Sequence, residues 1–173
     1  MIFRIETERL VLRPLEASDI PTLTAIWADP EVTRYMGGPR DVEKVRQTLE
    51  EEVRSDSSDP IRFWPVVEKA SGRVIGDCGL TRKEVDGRDE IELVYVFAAD
   101  SWGKGYATEA AAALRDYAFG QLGLPRIIAL IDPENTASAR VAEKVGMRFE
   151  KEVVRAGGAR RLVYATQARS PVG

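Results

Sequence analysis

The most informative stretch of this chain reads Ala98-Ala-Asp-Ser-Trp-Gly-Lys-Gly-Tyr-Ala-Thr-Glu109. It joins the apolar strand pattern of residues 91–97 to a helical pattern whose small apolar residues recur on one face up to Leu122. Glycines at positions 103 and 105 leave backbone N–H groups unobstructed, and a helix N-terminus adds partial positive charge. The stretch therefore predicts a site for a phosphate or pyrophosphate, unless the glycines only allow the positive φ of a helix entry.

Two better-known phosphate motifs do not fit this loop. A P-loop requires Ser or Thr after Gly-Lys, but Gly105 follows Lys104. The dinucleotide fingerprint requires a third glycine or alanine, and Thr108 stands at that position. Neither nucleotide-binding class is predicted.

About seven strands and four helices are predicted along the chain. The strands cover residues 8–15, 63–68, 74–80, 91–97, 126–131, 147–155 and 160–166, and the helices begin near Ser18 or Asp19, Asp41, Gly105 and Asn135. Three consecutive strands predict an antiparallel meander, whereas strand–helix–strand over residues 91–131 predicts a parallel crossover. We therefore expect an α/β fold with a mixed, mostly antiparallel sheet and helices on both faces.

Composition excludes several classes of protein. The chain has 173 residues, which predicts one domain over residues 1–173, and it contains no histidine, which excludes Ser-His and Cys-His catalysis and histidine-ligated zinc. The single Cys78 excludes an internal disulfide. With 25 basic and 28 acidic residues, the formal charge of −3 does not favour non-specific nucleic-acid binding.

The chain shows no targeting pattern. No apolar run approaches the ~18–20 residues of a membrane span, and residues 1–6 do not resemble a signal peptide. We therefore expect a cytoplasmic protein with neither a nucleic-acid nor a membrane partner.

Four segments carry a family resemblance. In chain order they are Thr7-Glu-Arg-Leu-Val-Leu-Arg-Pro14, Trp27-Ala-Asp-Pro-Glu-Val-Thr-Arg-Tyr35, Trp102-Gly-Lys-Gly-Tyr-Ala-Thr-Glu-Ala110 and Asn135-Thr-Ala-Ser-Ala-Arg-Val-Ala-Glu-Lys-Val-Gly-Met147, with Gly76 between the second and third. They resemble the GNAT family of N-acetyltransferases, specifically its RimJ/RimL-type branch. The resemblance implies the GNAT fold, acetyl-CoA as acetyl donor, an amine acceptor, no metal, and a monomer or homodimer.

The resemblance also implies how acetyl-CoA binds. The family's pyrophosphate signature, Arg/Gln-x-x-Gly-x-Gly/Ala, falls on residues 102–107, with Trp102 in place of Arg or Gln. The preceding strand corresponds to the family's splayed strand, whose backbone binds the pantetheine arm. The implied cofactor-binding residues are Val94, Tyr95, Val96, Trp102, Gly103, Lys104, Gly105, Tyr106, Ala107, Thr108, Asn135 and Ser138.

The resemblance also implies catalytic residues, but each of them has an alternative role. Glu92 stands where the family often places an acidic residue and is the candidate base, although it could be an outward-facing strand residue; Glu109 fits a helix N-terminus better. The family's tyrosine acid is replaced by Ala142, so Ser138 is the candidate acid, although a serine three residues after Asn135 also suits a helix cap. Tyr35 is the candidate acceptor contact, or a packing residue.

The function predicted is transfer of an acetyl group from acetyl-CoA to a primary amine by direct attack in a ternary complex. The alternative is a non-catalytic acyl-CoA-binding module of the same fold. An α-amino acceptor is favoured, because its deprotonation at pH 7 costs ~1–1.4 kcal/mol against ~4.6 for lysine. Small-molecule amines stay open as acceptors.

Overall fold

The computed structural model describes residues 3–170. Residues 1–2 and 171–173 lie outside the described residues, so the two ends of the expected domain and the start of the N-terminal stretch considered above are not described. The strands are β1 (Ile5–Glu6), β2 (Leu10–Leu12), β3 (Phe63–Glu68), β4 (Val74–Val85), β5 (Arg88–Phe97), β6 (Arg126–Ile131), β7 (Arg148–Val154) and β8 (Arg160–Gln167). The α-helices are α1 (Ile20–Ala28), α2 (Val42–Arg54), α3 (Tyr106–Gly120) and α4 (Thr136–Lys144).

The strands form one sheet in the order β1-β2-β3-β4-β5-β6-β8-β7. Within the described residues, β5 and β6 are the only parallel neighbours, and α3 is the crossover between them. The predicted mixed, mostly antiparallel sheet is therefore confirmed.

The strand boundaries differ from the prediction at several places. The strand expected over residues 8–15 is shorter and covers only Leu10–Leu12. Residues 3–170 contain eight strands rather than about seven, because β1 adds a two-residue pairing with β2 that is too short to show alternation. The predicted turn at residues 85–89 contracts to Asp86 and Gly87, whose φ values of 50° and 76° suit a two-residue hairpin. Strand β4 consequently runs five residues beyond its expected end at Leu80.

Helices cover both faces of the sheet. On one face, the small residues Ala110, Ala111 and Ala118 let α3 lie close to the strands, and α4 packs into the same core cluster through Ala142. On the other face, α1 and α2 pack with Val96 of β5. Among residues 3–170, no helix has both the length and the apolar character to cross a membrane.

Strands β5 and β6 separate after a single register pair, Glu92 with Ile128. Strand β5 stays paired with β4 along its whole length, to Phe97, so the separation lies only on its β6 side. Beyond Glu92, the facing backbone of β5 is free of a strand partner. The sheet therefore contains a gap at the carboxyl ends of its two parallel strands.

Candidate active site

A cavity of about 430 Å³ occupies this gap and is lined from both faces of the sheet. Successive side chains of a strand point to opposite faces. Tyr95 packs with the core under α3 and α4, whereas Val94 packs with α1 and α2. The lining includes the predicted site residues Tyr35, Glu92, Val94, Tyr95, Asn135 and Ser138. The cavity thus connects the α3–α4 face to the α1–α2 face.

Glu92 lies at the point where the two strands part. Its carboxylate Oε2 accepts a hydrogen bond from the Leu130 N–H at 3.1 Å, and the side chain is 8% exposed. Burial raises the pKa of Glu92, although the Leu130 hydrogen bond and nearby cations oppose the shift. Its Oε1 accepts no hydrogen bond from residues 3–170. The outward-facing alternative for Glu92 is wrong, because the side chain is buried. One carboxylate oxygen bonds to β6 across the gap, and the other remains available.

Ser138 lies across the gap, in the first turn of α4. Asn135 is the N-cap of this helix, and its Oδ1 accepts from the Ser138 N–H at 3.1 Å. The predicted cap is therefore confirmed for the Asn135 side chain. The Ser138 hydroxyl is not used in that cap and is free for another contact.

Tyr95 supplies that contact, which sequence reasoning missed because it considered only the Tyr95 backbone. The phenol Oη lies 3.0 Å from Ser138 Oγ and 2.9 Å from the Ser138 carbonyl oxygen. Burial raises the pKa of Tyr95 to about 12, so the phenol keeps its proton at neutral pH. A carbonyl only accepts, so the single phenol proton is donated to the Ser138 carbonyl, and Tyr95 Oη accepts from the Ser138 hydroxyl.

The loop before α3 presents unpaired backbone donors. Gly103 and Gly105 have φ values of 75° and 81°, which glycine adopts readily. Among the hydrogen bonds of residues 3–170, none is donated by a backbone N–H of residues 103–108. These donors and the helix N-terminus fit the pyrophosphate of acetyl-CoA.

Side chains of the predicted loop are used differently from its backbone. The Trp102 indole, 47% exposed, donates to the Phe97 carbonyl at 2.9 Å and so ties the loop to the end of β5. The Tyr106 hydroxyl donates to Glu68 at 2.5 Å. The loop side chains therefore hold the loop, while its backbone amides stay unpaired.

Arg9 is a second residue that sequence reasoning missed, although it belongs to one of the segments that carry the family resemblance. Its guanidinium donates to the Lys104 carbonyl at 2.8 Å and lies over the Tyr106 ring. Glu109 holds Arg9 by a 2.8 Å ion pair and accepts from Thr7 at 2.5 Å. Although burial opposes ionisation, these hydrogen bonds lower the pKa of Glu109. Glu109 therefore anchors the N-terminal strands to α3.

A second buried acid lies beside the cavity. Asp77 of β4 is 4% exposed and accepts a 3.1 Å hydrogen bond from the indole of Trp27, which lines the cavity. Burial raises the pKa of Asp77 to about 7, and the charges of Glu52 and Asp19 act in the same direction. Asp77 thus holds a residue of the cavity wall and has a pKa near neutral pH.

Cys78 lies within the core. Burial raises the pKa of its thiol, which makes it a poor nucleophile. Within residues 3–170, no group of three or more His, Cys, Asp or Glu side chains could hold a metal ion.

Comparison with known proteins agrees with this architecture. Residues 9–148 match the family model described as an acetyltransferase (GNAT) domain. The N-acetyltransferase p20 of Bacillus licheniformis is 37% identical over 149 residues, which are 84% of this chain and 82% of p20. A GNAT-family acetyltransferase from Bacillus anthracis, 29% identical, has a TM-score of 0.80 over 95% of this chain and 98% of its own.

More distant structures share the fold alone. RimL, a ribosomal alpha-N-protein acetyltransferase solved in complex with coenzyme A, is 15% identical, with a TM-score of 0.77 over 96% of this chain and 98% of its own.

The family match and the relatives decide the class of protein. This chain belongs to the GNAT acetyltransferase family and is an N-acetyltransferase. The fold expected from the resemblance is confirmed.

Proposed function

We propose that this enzyme moves an acetyl group from acetyl-CoA to a primary amine by direct attack in a ternary complex. The observation that supports this most is the cavity through the sheet, because it is lined from both faces at the gap between β5 and β6. A donor on the α3–α4 side and an acceptor on the α1–α2 side could then meet without a covalent enzyme intermediate. The buried thiol of Cys78 is consistent with such a route.

The unpaired amides of residues 103–108 would hold the pyrophosphate of acetyl-CoA, and Arg9 would add a cation beside them. The free backbone of residues 94–96, on the β6 side of β5, would bind the pantetheine arm. Acetyl-CoA supplies the thioester carbonyl that the amine attacks. Transfer forms a carbon–nitrogen bond, breaks the carbon–sulfur bond, and moves one proton from the amine and one to the sulfur.

Glu92 would accept the proton that the amine loses. Its free Oε1 and its raised pKa support this role, because a carboxyl group that titrates closer to neutral pH is a better base. Ser138 would donate a hydrogen bond to the departing sulfur from the opposite side of the gap. Tyr95 would be its positioning residue, because the phenol contacts both the Ser138 carbonyl and Ser138 Oγ and so fixes where the serine hydroxyl lies.

The acceptor is proposed as an α-amino group, on a peptide or on a small molecule. The RimJ/RimL-type motifs support this, as does the lower cost of deprotonating an α-amino group in a site without histidine. Tyr35 lines the acceptor side of the cavity and would contact the acceptor molecule.

The test is release of CoA thiol from acetyl-CoA, with and without primary amines, by the purified enzyme. We expect thiol release to depend on the amine and N-acetylated product to appear in equal amount. A peptide with a free N-terminus should react faster than the same peptide N-blocked but carrying a lysine. Acetyl-CoA binding without amine-dependent thiol release across α-amino, lysine and small-molecule amines would instead favour the non-catalytic module.

A further inference from the structure

The lining of the cavity is positively charged, in contrast to the whole chain. Four cationic side chains line the cavity, against the two carboxylates of Glu92 and Asp132, which gives a formal charge of +2. The chain as a whole has a formal charge of −3. Cations are therefore concentrated around the cavity that the acceptor would enter.

Three of these cations lie close enough to Glu92 to lower its pKa. Lys83 lies on β4 two residues beyond Thr81, the register partner of Glu92, and therefore on the same face of the sheet. Arg155 and Arg161 approach from the end of β7 and from β8. All three act electrostatically on the Glu92 carboxylate. They form one group, which we call the basic cluster (Lys83, Arg155 and Arg161).

The basic cluster is only partly neutralised by the carboxylates of Glu92 and Asp132. Within residues 3–170, Lys83 makes no ion pair and no side-chain hydrogen bond. Arg155 donates to the backbone carbonyl of Glu84. Arg161 reaches Asp132 at 3.4 Å and otherwise contacts the Arg160 carbonyl at 2.7 Å. Half-buried cations with so little compensation favour an anionic ligand.

The fourth cation is differently engaged. Arg40 donates to the Gly38 carbonyl at 2.8 Å and lies 5.7 Å from the centroid of the Trp27 ring, on the α1–α2 side. Its position makes it part of the cavity wall. The anion site is therefore argued from the basic cluster alone.

We propose that the basic cluster binds a carboxylate on the acceptor, so that this enzyme acetylates amines that also contain a carboxylate near the nitrogen. The proposal rests on the proposed acetyl transfer and specifies its substrate class. The same cations would disfavour an ammonium ion and so keep the bound amine neutral, which is the form that attacks. Polyamines and other multiply cationic acceptors are expected to react poorly.

The carboxylate could belong to a free amino acid or to an acidic side chain of a peptide. Two matched pairs distinguish these sources: serine against serinamide, and Ser-Glu amide against Ser-Gln amide, with each rate expressed per neutral amine. We expect the carboxylate member of at least one pair to have a tenfold higher kcat/KM. Lys83→Gln and Arg161→Gln should each reduce that preference at least fivefold. Lys44→Gln, an exposed lysine on α2, is the charge-matched control and should leave it unchanged.

A binding experiment separates this inference from the proposed function. The indole N–H of Trp27, which lines the cavity, is followed by NMR while the CoA-loaded protein is titrated at constant ionic strength. N-acetylglycine should bind at least fivefold more tightly than N-acetylglycinamide, and Lys83→Gln should abolish the difference. Equal binding, no binding, or equal rates within both acceptor pairs would overturn the carboxylate site. If no amine is acetylated, the proposed function fails, and the titration still decides the carboxylate site.

Discussion

Replacing Asp77 by asparagine should change how the stability of the protein depends on pH. Asp77 is buried against the Trp27 indole, and burial raises its pKa from an ordinary 3.8 to about 7. In Asp77→Asn, the amide oxygen can still accept from the indole N–H. The side-chain NH₂ would lack a partner, which costs about 1–3 kcal/mol at every pH. The informative quantity is therefore the pH dependence of the difference between the two proteins.

The magnitude follows from proton linkage. An acid whose pKa is higher in the folded state stabilises the fold fully below its unfolded pKa, and that stability is lost as the pH rises through its folded pKa. Asp77 is neutral in the folded protein at pH 5 and ionised at pH 8. With a shift from 3.8 to about 7, the wild type should lose about 2–3 kcal/mol between these pH values through Asp77 alone. Asp77→Asn should not show this loss.

Urea unfolding at pH 5 and pH 8 measures this effect by linear extrapolation. The unfolding free energy of Asp77→Asn minus that of the wild type should rise by about 2–3 kcal/mol from pH 5 to pH 8. Asp56→Asn, in the exposed loop before β3, is the control and should follow the wild type. A difference that stays constant within about 1 kcal/mol would refute the assignment of a near-neutral pKa to Asp77.

Three other predictions concern the site. Gly105→Ala should weaken acetyl-CoA binding at least tenfold, or about 1.4 kcal/mol. The control Gly123→Ala, also at positive φ but remote from the loop, should not weaken it. Equal acetyl-CoA affinities of Gly105→Ala and the wild type would contradict the pyrophosphate assignment. With each rate expressed per neutral amine, Glu92→Gln should remove the acidic limb that remains in the kcat/KM profile, and a limb that persists after this correction would identify another base. Tyr95→Phe and Ser138→Ala should each lower kcat about 10²-fold with little change in acetyl-CoA affinity. The double variant should be no slower than the slower single variant. Additive losses in the double variant would mean that the two hydroxyls act independently of each other.

Much of the fold was predictable because its signals are local. The helix that begins after Asn135 follows from a cap residue and a terminating glycine, and Asn135 does cap α4. The crossover from β5 to β6 follows from strand and helix periodicities that are visible in the sequence. The loop at residues 103–108 was predictable for the same reason, because glycines before a helix indicate free backbone donors.

The contacts that organise the site were not predictable, because they join residues far apart in the chain. The bond from Leu130 to Glu92 depends on the register of two parallel strands. The contact of Tyr95 with Ser138 spans 43 residues and depends on where α4 packs. The basic cluster combines Lys83 of β4 with Arg155, which follows β7, and Arg161 of β8. Sequence spacing alone gives neither strand register nor helix placement.

The single residue pair that joins β5 to β6 also has a mechanical consequence. Glu92 and Ile128 form the one ladder contact between β5 and β6. Strands β1–β5 and strands β6–β8 therefore meet along a seam that is crossed by few backbone hydrogen bonds. A molecule lying in that seam would bridge the two parts and add RT ln(1 + [L]/Kd) to the stability of the folded state. Those amide protons of residues 94–96 that point away from β4 into the seam would then exchange with solvent more slowly once it is filled.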